Sequence, residues 1–222
     1  MTVIVPGELV GVLRGARHVV VFTGAGVSAE SGIATFRDAL TGLWERFDAE
    51  DLATRDGFRK SPDLVWGWYE ARRAGVMRAS PNAAHRALAA MERRVERLTL
   101  VTQNVDDLHE RAGSSAPIHL HGSLFSPRCF ACARPAQLPP EIPAALEGGR
   151  QIPPPKCEHC GGRVRPGVVW FGEQLPKAAL KQAFEAARSC DVLLSVGTSS
   201  LVQPAAEIPF AAACPSRISG VR

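Results

Sequence analysis

His18-Val19-Val20-Val21-Phe22-Thr23-Gly24-Ala25-Gly26-Val27-Ser28-Ala29-Glu30-Ser31-Gly32-Ile33 is the stretch that sets the architecture. The apolar run from His18 to Phe22 reads as a buried strand. It runs straight into Gly24-Ala25-Gly26-Val27-Ser28-Ala29, a Gly-x-Gly-x-x-Ala spacing. A strand followed by that spacing is the dinucleotide-binding pattern. Its glycines permit a tight turn and let phosphate oxygens approach backbone N–H groups at a helix N-terminus. A tight turn with no ligand is the alternative reading. Upstream, Gly7 to Arg17 reads as a short amphipathic helix. Downstream, an ordinary dehydrogenase needs a second strand ending in an acidic residue about 20 residues on. Here Phe36 to Asp56 reads as loop and short helix, and the next strand begins only near Arg97. Helical patterns at Pro62–Val76 and Pro81–Met91 fill the interval. Such an insertion suits a lid or subdomain over a cofactor.

The second pole is Thr102-Gln103-Asn104-Val105-Asp106-Asp107-Leu108-His109, directly after the buried strand Leu98–Val101. In open α/β sheets, ligands sit outside the carboxyl ends of strands. Gln103, Asn104 and Asp106 are therefore expected to line a crevice, although Asn104 and Asp106 also suit a capped turn. A short strand from Pro117 to Leu120 delivers His121 beside them. Amides, a carboxylate and an imidazole converging at strand ends can orient a polar ligand and move a proton. Further on, Gly167-Val168-Val169-Trp170-Phe171-Gly172-Glu173 is an extended apolar run: a core strand, or an edge that pairs with an extended peptide. Pro176 to Arg188 reads as a helix, and Asp191 to Val196 as another buried parallel strand. That strand ends in Gly197-Thr198-Ser199-Ser200, a small polar turn suited to phosphate or ribose. A helix starts at Pro204, and Cys214 to Arg222 shows no periodicity.

The 222 residues suffice for a proper core, and a formal net charge of +4 is mild. The basic residues are mostly arginines and are scattered, so no specific nucleic-acid stripe stands out. Nothing is long and apolar enough to span a membrane, and a cytoplasmic location is expected. Four of the six cysteines form two Cys-x-x-Cys pairs, Cys129/Cys132 and Cys157/Cys160, separated by a proline-rich loop. Paired knuckles of this kind place four thiolates around one Zn²⁺ in a reducing compartment, and four thiolates close its coordination shell. His159 is an alternative ligand. Cys190 and Cys214 lack such partners and read as small buried residues.

In combination and in this order, these motifs resemble those of the sirtuins, NAD-dependent protein-lysine deacylases. The resemblance runs from Val19 to about Ala206. It implies an α/β fold: a Rossmann-like parallel sheet domain with a small zinc-ribbon module and a helical insertion. The whole chain, 1–222, is expected to be one catalytic domain. Its Rossmann-type part is 1–40, 80–123 and 168–222, its insertion 41–79 and its zinc module 124–167. NAD would be held by Gly24, Ala25, Gly26, Ser31, Phe36, Arg37, Gln103, Asn104, Asp106, Gly197, Thr198 and Ser199. Val168, Val169, Trp170 and Phe171 would meet an acyl-lysine protein or peptide. His121 matches the general base. In that chemistry the acyl oxygen attacks C1′ of the nicotinamide ribose, nicotinamide leaves, and His121 helps a ribose hydroxyl attack the resulting imidate.

Tyr69 and Arg72 stand three apart on one helical face. They resemble the Tyr-x-x-Arg pair of the class III sirtuins, which remove succinyl, malonyl and glutaryl groups. Ala53 matches that branch's small pocket residue. A surface Arg beside a core Tyr is the plainer reading. The tail departs from the family pattern, so the C-terminal edge of the fold is expected to be truncated, with an unpaired sheet edge beside the adenine pocket. Mono-ADP-ribosyl transfer and a catalytically weak acyl-lysine-binding module are the neighbouring readings. A zinc-ribbon nucleic-acid binder lacks the aromatic-basic surface it would need. No residue pattern specifies an oligomeric state.

Overall fold

The computed structural model describes residues 7–34, 52–138, 151–212 and 216–221, the last segment by its backbone. Phe36, Arg37 and Cys214 lie outside the described residues, as do 41–51 of the expected insertion.

Strand β1 (His18–Thr23) is buried along its whole length, as its unbroken apolar run requires. Val19 and Val21 pack with Leu88, Leu100 and Val192 on one face, where Val12 and Leu13 of helix α1 (Gly7–Gly15) join them. Val20 and Phe22 pack on the other face with Ala183, Ala187 and Ile208. Side chains alternate across a strand, so β1 supplies both halves of a core covered on two sides.

The sheet is built around β1. Strand β2 (Arg97–Thr102) pairs with it in parallel on one side, and β3 (Ile118–His119) pairs with β2. Strand β6 (Val192–Val196) pairs in parallel on the other side. The order is β3-β2-β1-β6-β7, with β7 (Ser216–Val221) beside β6, and the direction of winding reverses between β1 and β6. Ligands of doubly wound sheets bind at that reversal, beyond the carboxyl ends of the strands. Thr23 and Val196 are paired there.

Between β1 and β2 lie helices α2 (Arg55–Lys60), α3 (Pro62–Arg78) and α4 (Ala83–Glu92). Each start has a local cause. Thr54 Oγ1 accepts from Gly57 N at 3.0 Å, Pro62 occupies the first turn of α3, and Asn82 forms a capping box with His85. Strands β4 (Gly122–Cys129) and β5 (Val164–Val168) form a separate antiparallel pair. Trp66 of α3 packs against Cys129, Cys157 and Val164, which fastens this pair to the insertion.

Two expectations are corrected. The run Gly167–Glu173 is strand only as far as Val168 and then turns. The tail is not structureless: after α5 (Leu108–Arg111), α6 (Lys177–Ser189) and α7 (Ile208–Ala211), Ser216–Val221 forms β7, parallel to β6. The edge expected to be open beside β6 is thus occupied. Ser195 pairs with Ser219 but Val196 with Val221, so Gly220 is an extra residue in the ladder. A bulge of this kind breaks the period of two that would have announced the strand.

Candidate functional site

Two loops cross at the reversal point. Gly24 N donates to Val196 O (3.1 Å), Gly26 N to Gly197 O (2.8 Å) and Val27 N to Gly24 O (3.0 Å). The glycines are required for this contact. A Cβ on Gly26 would stand 2.8 Å from Gly197 O, and one on Gly197 (φ +62°) would stand 2.2 Å from Val27 N. The following turn, Ala25–Ser31, is 3₁₀ rather than α-helical. The sequence motif therefore serves loop crossing first, and three N–H groups expected to meet phosphate are already bonded to main chain. Ser31 Oγ is buried and has no hydrogen-bond partner among the described residues. That orphan hydroxyl fits a ligand oxygen beside the turn.

Gln103 ties the crossing to β2. Its N donates to Thr23 O (2.9 Å) and its Nε2 to Thr198 Oγ1 (2.8 Å). Gln103 O faces His121 Nδ1 at 3.0 Å. A carbonyl only accepts, so Nδ1 carries the proton and Nε2 is the lone-pair nitrogen. Burial pushes the His121 imidazole below its ordinary value, against the opposing pull of Gln103 O. It is neutral, and hence basic, at neutral pH. Gly122, at φ +75°, turns the chain immediately after it into β4.

His119 is set up in the opposite way. Its Nδ1 faces Asn104 O at 3.1 Å and its Nε2 faces Glu110 Oε1 at 2.7 Å. Burial opposes its charge, but Glu110 and the carbonyl outweigh it, and its pKa is raised. With an acceptor on each nitrogen it has no lone pair to offer, and its role is structural.

Asn104 and Asp106 meet at Ser28, which the sequence reading did not single out. Ser28 Oγ donates to Asp106 Oδ2 (3.0 Å) and accepts from Asn104 Nδ2 (3.0 Å). His85 Nε2 lies 3.4 Å away, while Asn82 N donates to His85 Nδ1. One donated and two accepted bonds saturate a buried hydroxyl. Asp106 Oδ1 also accepts from Leu108 N (3.1 Å), so the cap reading and the crevice reading both hold. Ser28 could have been found as the one hydroxyl between Gly26 and Glu30. His85 and His109 carry no comparable signal. Beneath this layer His109 packs edge-on against His85 with ring centroids 4.8 Å apart. Its Nε2 meets Thr23 Oγ1 at 3.1 Å, and its Nδ1 is buried without a hydrogen-bond partner among the described residues. Burial, aided by His85, drives its pKa down to about 4.

Tyr69 and Ala53 are buried in one cluster with Phe58, Trp68, Val168 and Trp170. Burial pushes the Tyr69 phenol up to about 12, so it stays protonated. Arg73, the neighbour of Arg72, is held by Glu70 through Nη2–Oε2 (2.6 Å) and Nε–Oε1 (3.1 Å). Arg72 instead lies with its guanidinium carbon 4.8 Å over the Trp68 ring. Burial lowers its pKa, while Tyr69 and Asp106 act against that shift, so Arg72 is within electrostatic reach of both. The 169–171 turn does not offer a row of free N–H groups. Val169 N donates to His121 O (2.8 Å), Trp170 N to Glu173 Oε2 (3.0 Å) and Phe171 N to Ala53 O (2.9 Å). The Phe171 side chain is exposed.

Cys129, Cys132, Cys157 and Cys160 place their Sγ atoms within 4.8 Å of one another. Cys129–Cys160 and Cys132–Cys157 sulfurs are 3.5 and 3.8 Å apart. A tetrahedral zinc with Zn–S of about 2.3 Å has an S···S edge of about 3.8 Å, so the set fits that ion. His159 Nδ1 turns instead to Arg134 Nη1 at 2.8 Å.

The Sir2 family model matches residues 24–204. An NAD-dependent protein deacylase of Methylococcus capsulatus is 63% identical over 202 residues, covering 91% of this chain and 79% of that protein. NAD-dependent protein deacylase 1 of Pseudomonas aeruginosa is 62% identical, covering 90% and 80%. Among solved structures, a Sir2 homolog–NAD complex superposes with a TM-score of 0.83 at 47% identity, over 93% of this chain and 78% of that one. A Sir2–p53 peptide–NAD⁺ complex gives 0.78 at 32% identity, over 93% and 81%. With two loops crossed over the sheet's reversal point, a neutral histidine beside them and four clustered cysteines, the chain belongs to the Sir2 family.

Proposed function

We propose that the chain removes acyl groups from protein lysines while consuming NAD, releasing nicotinamide and O-acyl-ADP-ribose. The observation that carries this reading is the meeting of Gly24–Gly26, Gln103, His121 and Thr198 beyond the ends of β1, β2, β3 and β6. NAD would be held over the crossed loops, with Gln103 and Thr198 for its ribose and Asn104 and Asp106 for its nicotinamide. Phe36 and Arg37 belong to the same ligand set by resemblance.

His121 acts through Nε2. Its donor bond to Gln103 O fixes the tautomer, and burial keeps it neutral. There it would hold and remove the proton of a ribose hydroxyl of the bound nucleotide, making that oxygen the nucleophile toward the acyl group. Asn104 and Asp106, locked by Ser28, give the nicotinamide end a fixed polar wall. The peptide docks against 168–171 chiefly through side chains such as the exposed Phe171, since the N–H groups of 169–171 and the Val168 and Trp170 carbonyls already have partners. Cys129, Cys132, Cys157 and Cys160 would hold a zinc ion with a closed shell, a structural cross-link of the β4–β5 module that leaves the chemistry to the sheet. The clustered thiolates suit a reducing, cytoplasmic setting. Among the described residues no helix is long and apolar enough to cross a membrane.

For the acyl group, the reading is an anionic chain. Tyr69 remains a hydrogen-bond donor and Arg72 a cation in a wall that is otherwise apolar. Hydrogen bonds to a charged group contribute about 1.5–3 kcal/mol, or about ten- to a hundredfold in kcat/KM. The experiment gives purified protein NAD with matched acetyl- and succinyl-lysine peptides and measures nicotinamide and O-acyl-ADP-ribose. Arg72→Met is expected to lower the succinyl-to-acetyl ratio of kcat/KM, mostly through KM. An unchanged ratio leaves a general deacetylase. Nicotinamide release with ADP-ribosylated protein as product makes the chain a transferase instead.

A further inference from the structure

Strand β5 carries a buried guanidinium that neither the NAD site nor the cysteine cluster uses. Arg165 is 1% exposed. Its Nη1 and Nη2 bond Glu173 Oε1 (2.5 Å) and Oε2 (3.0 Å). Nη2 also donates to Val168 O (2.8 Å) and Nε to Pro166 O (3.2 Å). The guanidinium carbon stands 3.4 Å from the centre of the Trp170 ring. Glu173 accepts in addition from Trp170 N at 3.0 Å and meets Arg55 Nη1 at 3.3 Å.

Burying an ion pair contributes little net stability compared with apolar side chains of the same volume. What this pair supplies is geometry. The Trp170 main chain is held by Glu173, and the indole face is covered by Arg165. The indole edge then donates from Nε1 to the Tyr69 hydroxyl oxygen at 3.1 Å. A phenol has one proton. When its oxygen accepts from the indole, that proton is directed away from Trp170. Glu173 also neutralises Arg165, so Arg165 does not compete with Arg72 for an anion.

We infer that Arg165 and Glu173 are positioning residues for acyl recognition: through Trp170 they orient the Tyr69 hydroxyl toward the carboxylate of an anionic acyl chain. This rests on the acyl reading above. Arg165→Lys keeps the charge but loses the planar stack and the fork. It is expected to lower the succinyl-to-acetyl ratio of kcat/KM by about two- to tenfold, less than the roughly ten- to hundredfold of a whole hydrogen bond to a charged group because the bond is misaligned rather than removed, with the change in KM for the succinyl peptide. In a Tyr69→Phe background the same substitution is expected to leave the ratio unmoved, because the group it positions is gone. Tyr69 is the chain's one tyrosine, so 3-fluorotyrosine labelling gives a single ¹⁹F resonance from this site. That resonance is expected to shift in Arg165→Lys and, less, in Glu173→Gln, whose amide still accepts from Trp170 N. An equal fall in both backgrounds, or an unmoved resonance, overturns the inference. An unmoved ratio in Arg165→Lys, while Arg72→Met still lowers it, overturns this inference and leaves the acyl reading standing. A ratio that Arg72→Met does not move either overturns both.

Discussion

His109 makes stability depend on pH in a way that its burial quantifies. Its pKa falls from 6.5 to about 4 in the native state because the ring is buried and faces His85. The unfolded chain binds a proton on this residue below about pH 6.5, and the native state binds it only near 4. Stability therefore stands in full above about pH 6.5 and is lost as pH falls toward 4. At about 1.36 kcal/mol per pKa unit the whole shift is worth about 3 kcal/mol, of which about 2.5 is gone by pH 4.5. His109→Phe keeps an aromatic ring against His85 and removes the titration. At pH 7.5 it forgoes only the Thr23 Oγ1 bond, about 1 kcal/mol. Urea unfolding followed by tryptophan fluorescence at pH 7.5 and 4.5 checks this. The wild type should lose about 2–3 kcal/mol more than the variant between the two pH values. His85 and His119 are present in both proteins, so their direct contributions cancel in the comparison. Equal losses would refute the linkage and mean that His109 is solvated in the native state.

Removal of one cysteine ligand, as in Cys157→Ser, should abolish the single bound zinc and open residues 124–167 to protease, since structural zinc contributes about 10–16 kcal/mol to such modules; metal analysis and limited proteolysis test it, and a folded wild type without zinc would refute it. His121→Ala should lose about 10²–10⁴-fold in deacylation with little change in melting temperature. Because the His121 pKa is lowered, the acidic limb of the wild-type kcat/KM profile should fall below pH 6.5; a limb above that value would exclude His121 as the base. Gly26→Ala forces a Cβ against Gly197 O and should both lower the melting temperature and weaken NAD binding in calorimetry, whereas an unchanged Kd would show that the loop crossing is dispensable.

The sheet was legible because β1 carries an unbroken apolar run and β2 and β6 are short, mostly apolar segments bounded by turn residues, as strands covered on both faces are. His121, Gln103 and the cysteines were legible because each sits at the end of a strand or in a metal spacing. The Ser28 network was not. Its members come from the Ala25–Ser31 turn, helix α4 and the loop after β2, and Ser28 and His85 share no period with Asn104 and Asp106. The Arg165–Glu173 pair was hidden for a similar reason: eight residues apart across a turn, its members read as a strand arginine and a loop glutamate. Of Arg72 and Arg73, only the structure assigns which one Glu70 holds. The tail strand escaped because Gly220 breaks its alternation.

The placing of β1 at the sheet's centre has a consequence for synthesis. Arg17 and His18 N–H groups are closed by Asp191, and His18 N reaches Asp191 Oδ2 across 173 positions. At about 5–20 residues per second, some 10–35 s pass between emergence of β1 and emergence of its second partner. During that interval the Val19–Phe22 run has β2 on one side at most, and an unpaired apolar edge on the other. The native sheet therefore closes only once Asp191 and β6 have emerged, Asp191 standing 173 positions after His18. A ribosome-bound nascent chain stopped before β6 is a natural client for chaperones that hold extended hydrophobic segments.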